Sequence, residues 1–210
     1  MNSTGSVVYV VDDDYRVTRG LSNLLAAEGY EVRAFSTAGQ YIAFERNDLA
    51  SCLVLDIQLP DINGLELQSK LADTDGPPII FVTGHGDIPS GVRAMKNGAI
   101  EFLTKPVDAT QLLDALRQGI AADRKRRQIL ADSASLRARL SSLTPREVEV
   151  FRLVVSGLLN KQAAAELGIT ETTIQVHRGR VMRKMRADSL ADLVRMSSRL
   201  GIIPDVLARA

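Results

Sequence analysis

One cysteine, two histidines and no long apolar run: these scarcities narrow what the 210-residue sequence can be. A lone Cys52 cannot close an internal disulfide, so nothing points to an oxidising compartment. No apolar stretch approaches the roughly 20 residues that span a bilayer. The opening "MNSTGS" lacks the basic start and apolar core of a signal peptide. A cytoplasmic protein without membrane contact is therefore expected. What the chain does have is a 45% apolar fraction, enough for a packed core, in a length that suits one large domain or two small ones.

The formal net charge of +1 conceals an asymmetry. Residues 1–122 carry 9 Lys/Arg against 16 Asp/Glu, whereas residues 123–210 carry 17 against 9. An acidic half followed by a basic half predicts two domains with different partners, the basic one suited to nucleic acid.

In the acidic half, "VVYVV" (7–11), "YEVRAF" (30–35), "CLVL" (52–55), "PIIFV" (78–82) and "EFLT" (101–104) read as strands. Between them run helical patterns, such as Val17, Leu21, Leu24 and Leu25, and later Ala109, Leu112, Leu113, Leu116 and Ile120. This alternation predicts an α/β domain, a five-stranded parallel doubly wound sheet, because parallel neighbours need a crossover. Ligands of such sheets bind at the carboxyl ends of the strands. Asp12, Asp13 and Asp14 follow the first run, Asp56 the third, Thr83-Gly84 the fourth and Lys105-Pro106 the fifth. Taken singly, each has a plain structural reading: Asp14 as a helix N-cap, Thr83 as turn chemistry, Lys105 as a surface lysine. At four strand ends together they make a site. Clustered carboxylates need a cation, and an all-oxygen set suits Mg²⁺ over zinc. Mg²⁺, a lysine and a hydroxyl around a strand-end Asp56 suit phosphoryl transfer onto that carboxylate.

"VDDD" (11–14), "LDIQLPDINGLEL" (55–67), "FVTGHGD" (81–87) and "FLTKP" (102–106) resemble the receiver domain of bacterial two-component response regulators. The resemblance covers residues 5–122 and implies that Asp56 accepts a phosphoryl group from a phosphohistidine on a sensor histidine kinase. It implies Mg²⁺ on Asp13, Asp56 and the backbone carbonyl of Gln58, with Asp12 assisting through water. Thr83 and Lys105 become phosphoryl-sensing residues, with a cis peptide at Lys105-Pro106, and Phe102 takes the aromatic switch position. Phe102 reads equally well as an ordinary core residue. His85, in the loop after Thr83, is expected with Gln58 to tune hydrolysis of the acyl phosphate.

Residues 123–142, "DRKRRQILADSASLRARLSS", hold sparse apolar residues at Ile129, Leu130, Leu136 and Leu140 and read as a linker, with a helix continuing from the preceding one as an open alternative. Beyond it the basic half forms a small all-α domain over 143–205. Thr144-Pro145-Arg146-Glu147 is a capping box with proline at the first helical position. Gly157 ends that helix, Asn160 is expected to cap a short second helix ended by Gly168, and Thr170 caps a third. Two short helices across a tight glycine turn fit a helix-turn-helix. On the third helix Ile174, His177, Val181 and Met185 form the inner stripe, with His177 expected as a core residue hydrogen-bonded to backbone. Thr172, Gln175, Val176, Gly179 and Arg183 face outward, flanked by Arg180, and suit base edges in a major groove. Lys161, Arg178 and Lys184 are expected on phosphates.

Residues 143–203, through "LTPREVEVFRLVVSGLLNKQAAAELGIT" and "TTIQVHRGRVMRKM", resemble the LuxR/FixJ-type output domain. That implies four helices, the last near 189–200 and used for dimerisation on DNA. Receiver followed by this output module is the order of the FixJ subgroup. The combined expectation is a phosphorylation-controlled transcription regulator, dimeric when active, acting on promoter DNA with RNA polymerase as a further partner and activation as its output. A phosphate-independent DNA-binding regulator is the alternative. An Mg-dependent aspartyl-nucleophile phosphatase fits poorly, since haloacid-dehalogenase-type enzymes want a second Asp where this chain has Gln58. Coupling has two open routes: exposure of a dimerisation surface, or release of an inhibitory contact between the halves.

Overall fold

A computed structural model describes residues 5–72, 74, 76–84 and 88–202. Five strands, β1 (Ser6–Val11), β2 (Glu31–Phe35), β3 (Ala50–Leu55), β4 (Ile79–Thr83) and β5 (Glu101–Thr104), form one sheet in the order β2-β1-β3-β4-β5. Every pairing is parallel. The central strands β1, β3 and β4 are buried along their whole lengths, which is why they read as continuous apolar runs.

Alternate side chains on each strand feed two separate cores. Val7, Tyr9, Val11, Leu53, Leu55 and Phe81 pack with Ala38 and Tyr41 of α2 (Ala38–Ala43), Leu65 and Leu67 of α3 (Gly64–Ala72) and Ala94 of α4 (Ile88–Lys96). Val8, Val10, Cys52, Val54, Ile80 and Val82 pack with Leu21 and Leu25 of α1 (Tyr15–Ala27) and with Leu112, Leu116 and Ile120 of α5 (Ala109–Ser141). Helices thus cover both faces of the sheet, as the alternating pattern requires.

The chain divides into two compact units between Arg127 and Gln128. Residues 123–141 of the expected linker are not a separate element but the later turns of the 33-residue α5. The sparse apolar residues have a physical reason. Leu136 is buried in the core of the second unit, whereas Ile129 and Leu130 are exposed, so no continuous stripe runs along the helix.

The second unit contains α6 (Pro145–Val155), α7 (Asn160–Leu167), α8 (Glu171–Met185) and α9 (Leu190–Arg199). Val150, Phe151, Val154, Ala163, Ile174, Val181, Met185 and Leu193 fill its core. The Thr144–Glu147 capping box is present, with the Thr144 amide donating to Glu147 Oε2 at 2.8 Å. Gly168 ends α7 at φ 63°, a left-handed conformation in which a Cβ would be strained. One cap differs from expectation. Asn160 is the first helical residue, and the cap position belongs to Leu159, whose amide donates to Gln162 Oε1 at 2.8 Å. Asn160 is otherwise engaged, its Oδ1 accepting from Arg178 at 3.0 Å. Among the described residues no helix is long and apolar enough to cross a membrane.

Candidate functional site

Strand register assembles the first site. Val11 stands opposite Leu55 and Thr83 opposite Thr104, so the residues following β1, β3 and β5 leave the sheet at one edge. The Asp56 amide donates to Val11 O at 2.9 Å and the Lys105 amide to Thr83 O at 2.8 Å, extending the ladder to both functional side chains. The site lies at β1 and β3, where the strand order reverses.

Carboxylate oxygens of Asp12, Asp13 and Asp56 all lie within 4.8 Å of one another. Asp12 is 2% and Asp56 6% exposed, whereas Asp13 is open to solvent. Lys105 Nζ sits between the two buried acids, 2.6 Å from Asp12 Oδ2 and 2.7 Å from Asp56 Oδ2. The Gln58 amide donates to Asp56 Oδ1 at 3.2 Å and the Asp14 amide to Asp12 Oδ1 at 3.0 Å. Asp14 itself caps α1, accepting from the Arg16 amide at 2.8 Å. Burial pushes the Asp12 carboxyl above its ordinary value, although the hydrogen bond from Lys105 and the Asp14 amide pull against that. Burial also opposes the charge on Lys105, but its bonds to Asp12 and Asp56 outweigh it and raise the lysine. One ammonium against three carboxylates leaves negative charge to neutralise, and the donor atoms are all oxygen. That set fits a hard divalent cation.

Thr83 is buried at the end of β4, and the Lys105-Pro106 peptide is cis. Phe102 is half-buried on β5, its ring 6.5 Å from that of Phe81 and beside Gly91 of α4. Gln58 is exposed. His85 lies outside the described residues.

Two supporting residues escaped the sequence reading. A Cβ on Gly64 would come within 2.3 Å of Asp56 O, so only glycine lets α3 start against the backbone of Asp56. The Asn63-Gly64 pair was the available signal. Asp61 accepts from the amides of Gly39 at 2.7 Å and Ala38 at 3.2 Å, tying the loop after Asp56 to the start of α2. Those amides, Gly39 first, hold its carboxyl below the usual range.

The second site is the outer face of α8. Thr172, Gln175, Val176, Gly179, Arg180 and Arg183 are exposed, as is Lys161 on α7. Ile174, Val181 and Met185 are buried beneath them. Two of the residues expected on phosphates have partners within the unit. Lys184 is half-buried, its Nζ 2.6 Å from Glu147 Oε2 and 3.0 Å from Ser142 O. Glu147 is 2% exposed, and its bonds to Lys184 and the Thr144 amide lower its carboxyl to about 2. Lys184 therefore closes an ion pair with a buried acid, and a phosphate would compete with Glu147 for it. Arg178 is half-buried on Asn160, a tie between α8 and α7. His177 is half-buried, as expected of a residue on the inner stripe, and its Nδ1 is buried without a hydrogen-bond partner.

Comparison with known proteins fits both sites. Residues 8–117 match the response regulator receiver domain, and residues 141–197 match the bacterial regulatory proteins of the luxR family. Nodulation protein W of Bradyrhizobium diazoefficiens is 51% identical over 201 residues, covering 95% of this chain and 88% of that protein. Transcriptional regulatory protein FixJ of Rhizobium meliloti is 38% identical, covering 96% and 99% respectively. Among solved structures, response regulator StyR superposes with a TM-score of 0.86 at 48% identity, over 93% of this chain and all of that one. Full-length FixJ from B. japonicum gives 0.54 at 35% identity, over 96% and 100%. Both halves, in this order and over nearly the whole length of such relatives, place the chain among the FixJ-type response regulators, DNA-binding transcription regulators controlled by phosphorylation.

Proposed function

We propose that Asp56 is the phosphoacceptor and that its modification changes how α8 engages promoter DNA. The supporting observation is the convergence of Asp12, Asp13, Asp56 and Lys105 at the carboxyl edge of the sheet. An Asp56 oxygen attacks the phosphorus of a phosphohistidine on a sensor kinase. The bond to the imidazole nitrogen breaks as the new P–O bond forms, and the imidazole keeps the electron pair. Mg²⁺ would be held by Asp13, Asp56 and the Gln58 carbonyl, with Asp12 acting through water, and supplies charge neutralisation for the transferred oxygens. Lys105 exchanges its contact with Asp56 for one with the phosphoryl group, and the Thr83 hydroxyl binds another oxygen. Phe102, whose ring lies beside Gly91 of α4, follows Thr83. The chain acts as a phosphoacceptor in the cytoplasm, not as a dedicated enzyme.

In the output unit, Arg180, Arg183 and Lys161 meet phosphates while Thr172, Gln175 and Val176 face base edges. The modified protein dimerises on a two-fold symmetric site and activates transcription, with RNA polymerase as the partner it recruits.

Intact-mass measurement after incubation with acetyl phosphate and Mg²⁺ tests the first half. A phosphoryl adduct on Asp56 is expected, absent from Asp56→Asn and from samples with EDTA. Adduct formation at the wild-type rate in Asp56→Asn overturns the reading. Selection of duplexes from a random pool, with and without modification, tests the second half: identical enrichment by both forms sinks it.

A further inference from the structure

Residues 118–140 fall outside both matched segments, yet α5 makes specific polar ties in each unit. In the receiver unit the tie is a fully buried carboxylate. Asp123 is 0% exposed, and its Oδ2 accepts from the Ser51 amide at 2.8 Å and from Arg127 Nε at 2.7 Å. Its Oδ1 accepts from Arg126 Nη2 at 2.6 Å. Burial works against this charge, but the bonds from Arg127, Ser51 and Arg126 prevail and hold the carboxyl below its ordinary range. Arg124 Nη2 donates to Ser6 Oγ at 3.2 Å. Ser6 and Ser51 stand at the amino ends of β1 and β3, the strands whose other ends carry Asp12 and Asp56. Arg124 thus reaches the sheet directly, while Arg126 and Arg127 hold Asp123 of their own helix in the position that takes the Ser51 amide.

In the output unit the same helix ends on α8. Leu136 is buried in the core, with Leu140 packed against it. Arg139 Nη1 donates to Met185 O at 3.2 Å. Met185 is the last residue of α8, so its carbonyl has no acceptor role within the helix and needs an outside donor. Lys184 in return donates to Ser142 O, just past the end of α5.

We propose that Arg139 is a positioning residue for DNA recognition, fixing the carboxyl end of α8 to α5, and that α5, fastened to the receiver through Asp123, carries the phosphorylation state to this tie. The inference rests on Asp56 being the phosphoacceptor and on α8 reading DNA. Arg139 touches neither the phosphoryl group nor a base; it acts through the placement of α8.

The test uses full-length Arg139→Gln, Arg139→Lys and Arg126→Gln. Three quantities are read for each: Asp56 modification by intact mass, melting temperature, and affinity for a duplex selected by the wild type and for a random duplex, with and without acetyl phosphate and Mg²⁺. Arg139→Gln is expected to be modified normally and to bind random duplex normally. Its gain in affinity for the selected duplex on modification should shrink by about fivefold or more. Arg139→Lys, still a donor, should recover most of that gain. Arg126→Gln leaves Asp123 with Ser51 and Arg127, and should lower the gain without changing the unmodified affinities. A wild-type gain in Arg139→Gln, or an equal loss on selected and random duplex in both forms, overturns the positioning role. A wild-type gain in Arg126→Gln overturns the coupling. If wild-type Asp56 takes no phosphoryl group, the phosphoacceptor reading and the coupling that depends on it fall together. The ratio of selected to random affinity in Arg139→Gln against Arg139→Lys still decides the positioning role.

Discussion

Lys105 and Lys184 each lie within 2.7 Å of a buried carboxylate oxygen, one in each unit of the molecule. The resemblance ends there. Lys184 meets a single acid, Glu147, whose same oxygen also takes the Thr144 amide, so donors and acceptor balance. Lys105 meets two acids with a third nearby, and charge is left over. A balanced pair fastens elements together, whereas an unbalanced cluster can accept a cation and a phosphoryl group. Charge stoichiometry, not distance, separates structure from function here.

The sharpest break in that comparison is Asp56→Asn. It should abolish the acetyl-phosphate adduct seen by intact mass, while Glu147→Gln should leave adduct formation at the wild-type rate. Next in size is Lys184→Met, which strands a buried carboxylate. It should cost the output unit about 2 kcal/mol, below the roughly 3–5 kcal/mol of a fully buried pair because Lys184 is partly exposed. Urea unfolding followed by circular dichroism measures it, and added Mg²⁺ should restore nothing. Lys105→Met should cost a comparable amount in EDTA, about 2 kcal/mol, because Lys105 is less exposed and serves two buried acids that then repel each other. There Mg²⁺ should restore stability, with a larger melting shift than in the wild type. Equal Mg²⁺ responses of the two lysine variants would erase the proposed distinction.

Much of this was legible from sequence, and the reason is geometric. In a parallel sheet every strand end faces the same edge, so reading the residue after each apolar run at 12–14, 56, 83 and 105 reads the site directly. The output helices announced themselves through Thr144, Gly168 and Thr170, local signals spanning three or four residues. What failed were contacts set by tertiary distance. Glu147 and Lys184 are 37 residues apart, and nothing local distinguishes Lys184 from its exposed neighbour Arg183. The continuity of α5 stood only as an open alternative because its later turns are held by Asp123 and Arg139 more than by an apolar stripe. Asn160 was misplaced for the same reason, its amide oxygen being taken by Arg178.

Acid should move the two sites in opposite directions. Glu147 titrates near 2 in the folded chain against 4.5 as its ordinary value. A depressed carboxyl stabilises the native state above about 4.5, and that contribution is lost as pH falls toward 2. Asp12 is raised above its ordinary 3.8, so in metal-free buffer its protonation favours the native state and its ionisation at neutral pH is a cost. Between about pH 6 and about pH 3.5 the stability deficit of Glu147→Gln should narrow, and the advantage of Asp12→Asn in EDTA should narrow with it. Parallel pH curves for either variant and the wild type would contradict the assignment.

The smallest effect separates the two neighbours on α8. Arg183 is exposed and faces outward, whereas the ammonium of Lys184 is already bonded to Glu147 and Ser142. Each phosphate neutralised by a protein cation contributes about 0.9 to the slope of log affinity against log salt. Arg183→Ala should therefore lower that slope by about one with little change in melting temperature. Lys184→Met should do the reverse, lowering the melting temperature while leaving the slope alone. Titrations of a fixed duplex at several salt concentrations measure both. If Lys184→Met reduces the slope as much as Arg183→Ala does, the ion pair opens on DNA and Lys184 reaches a phosphate after all.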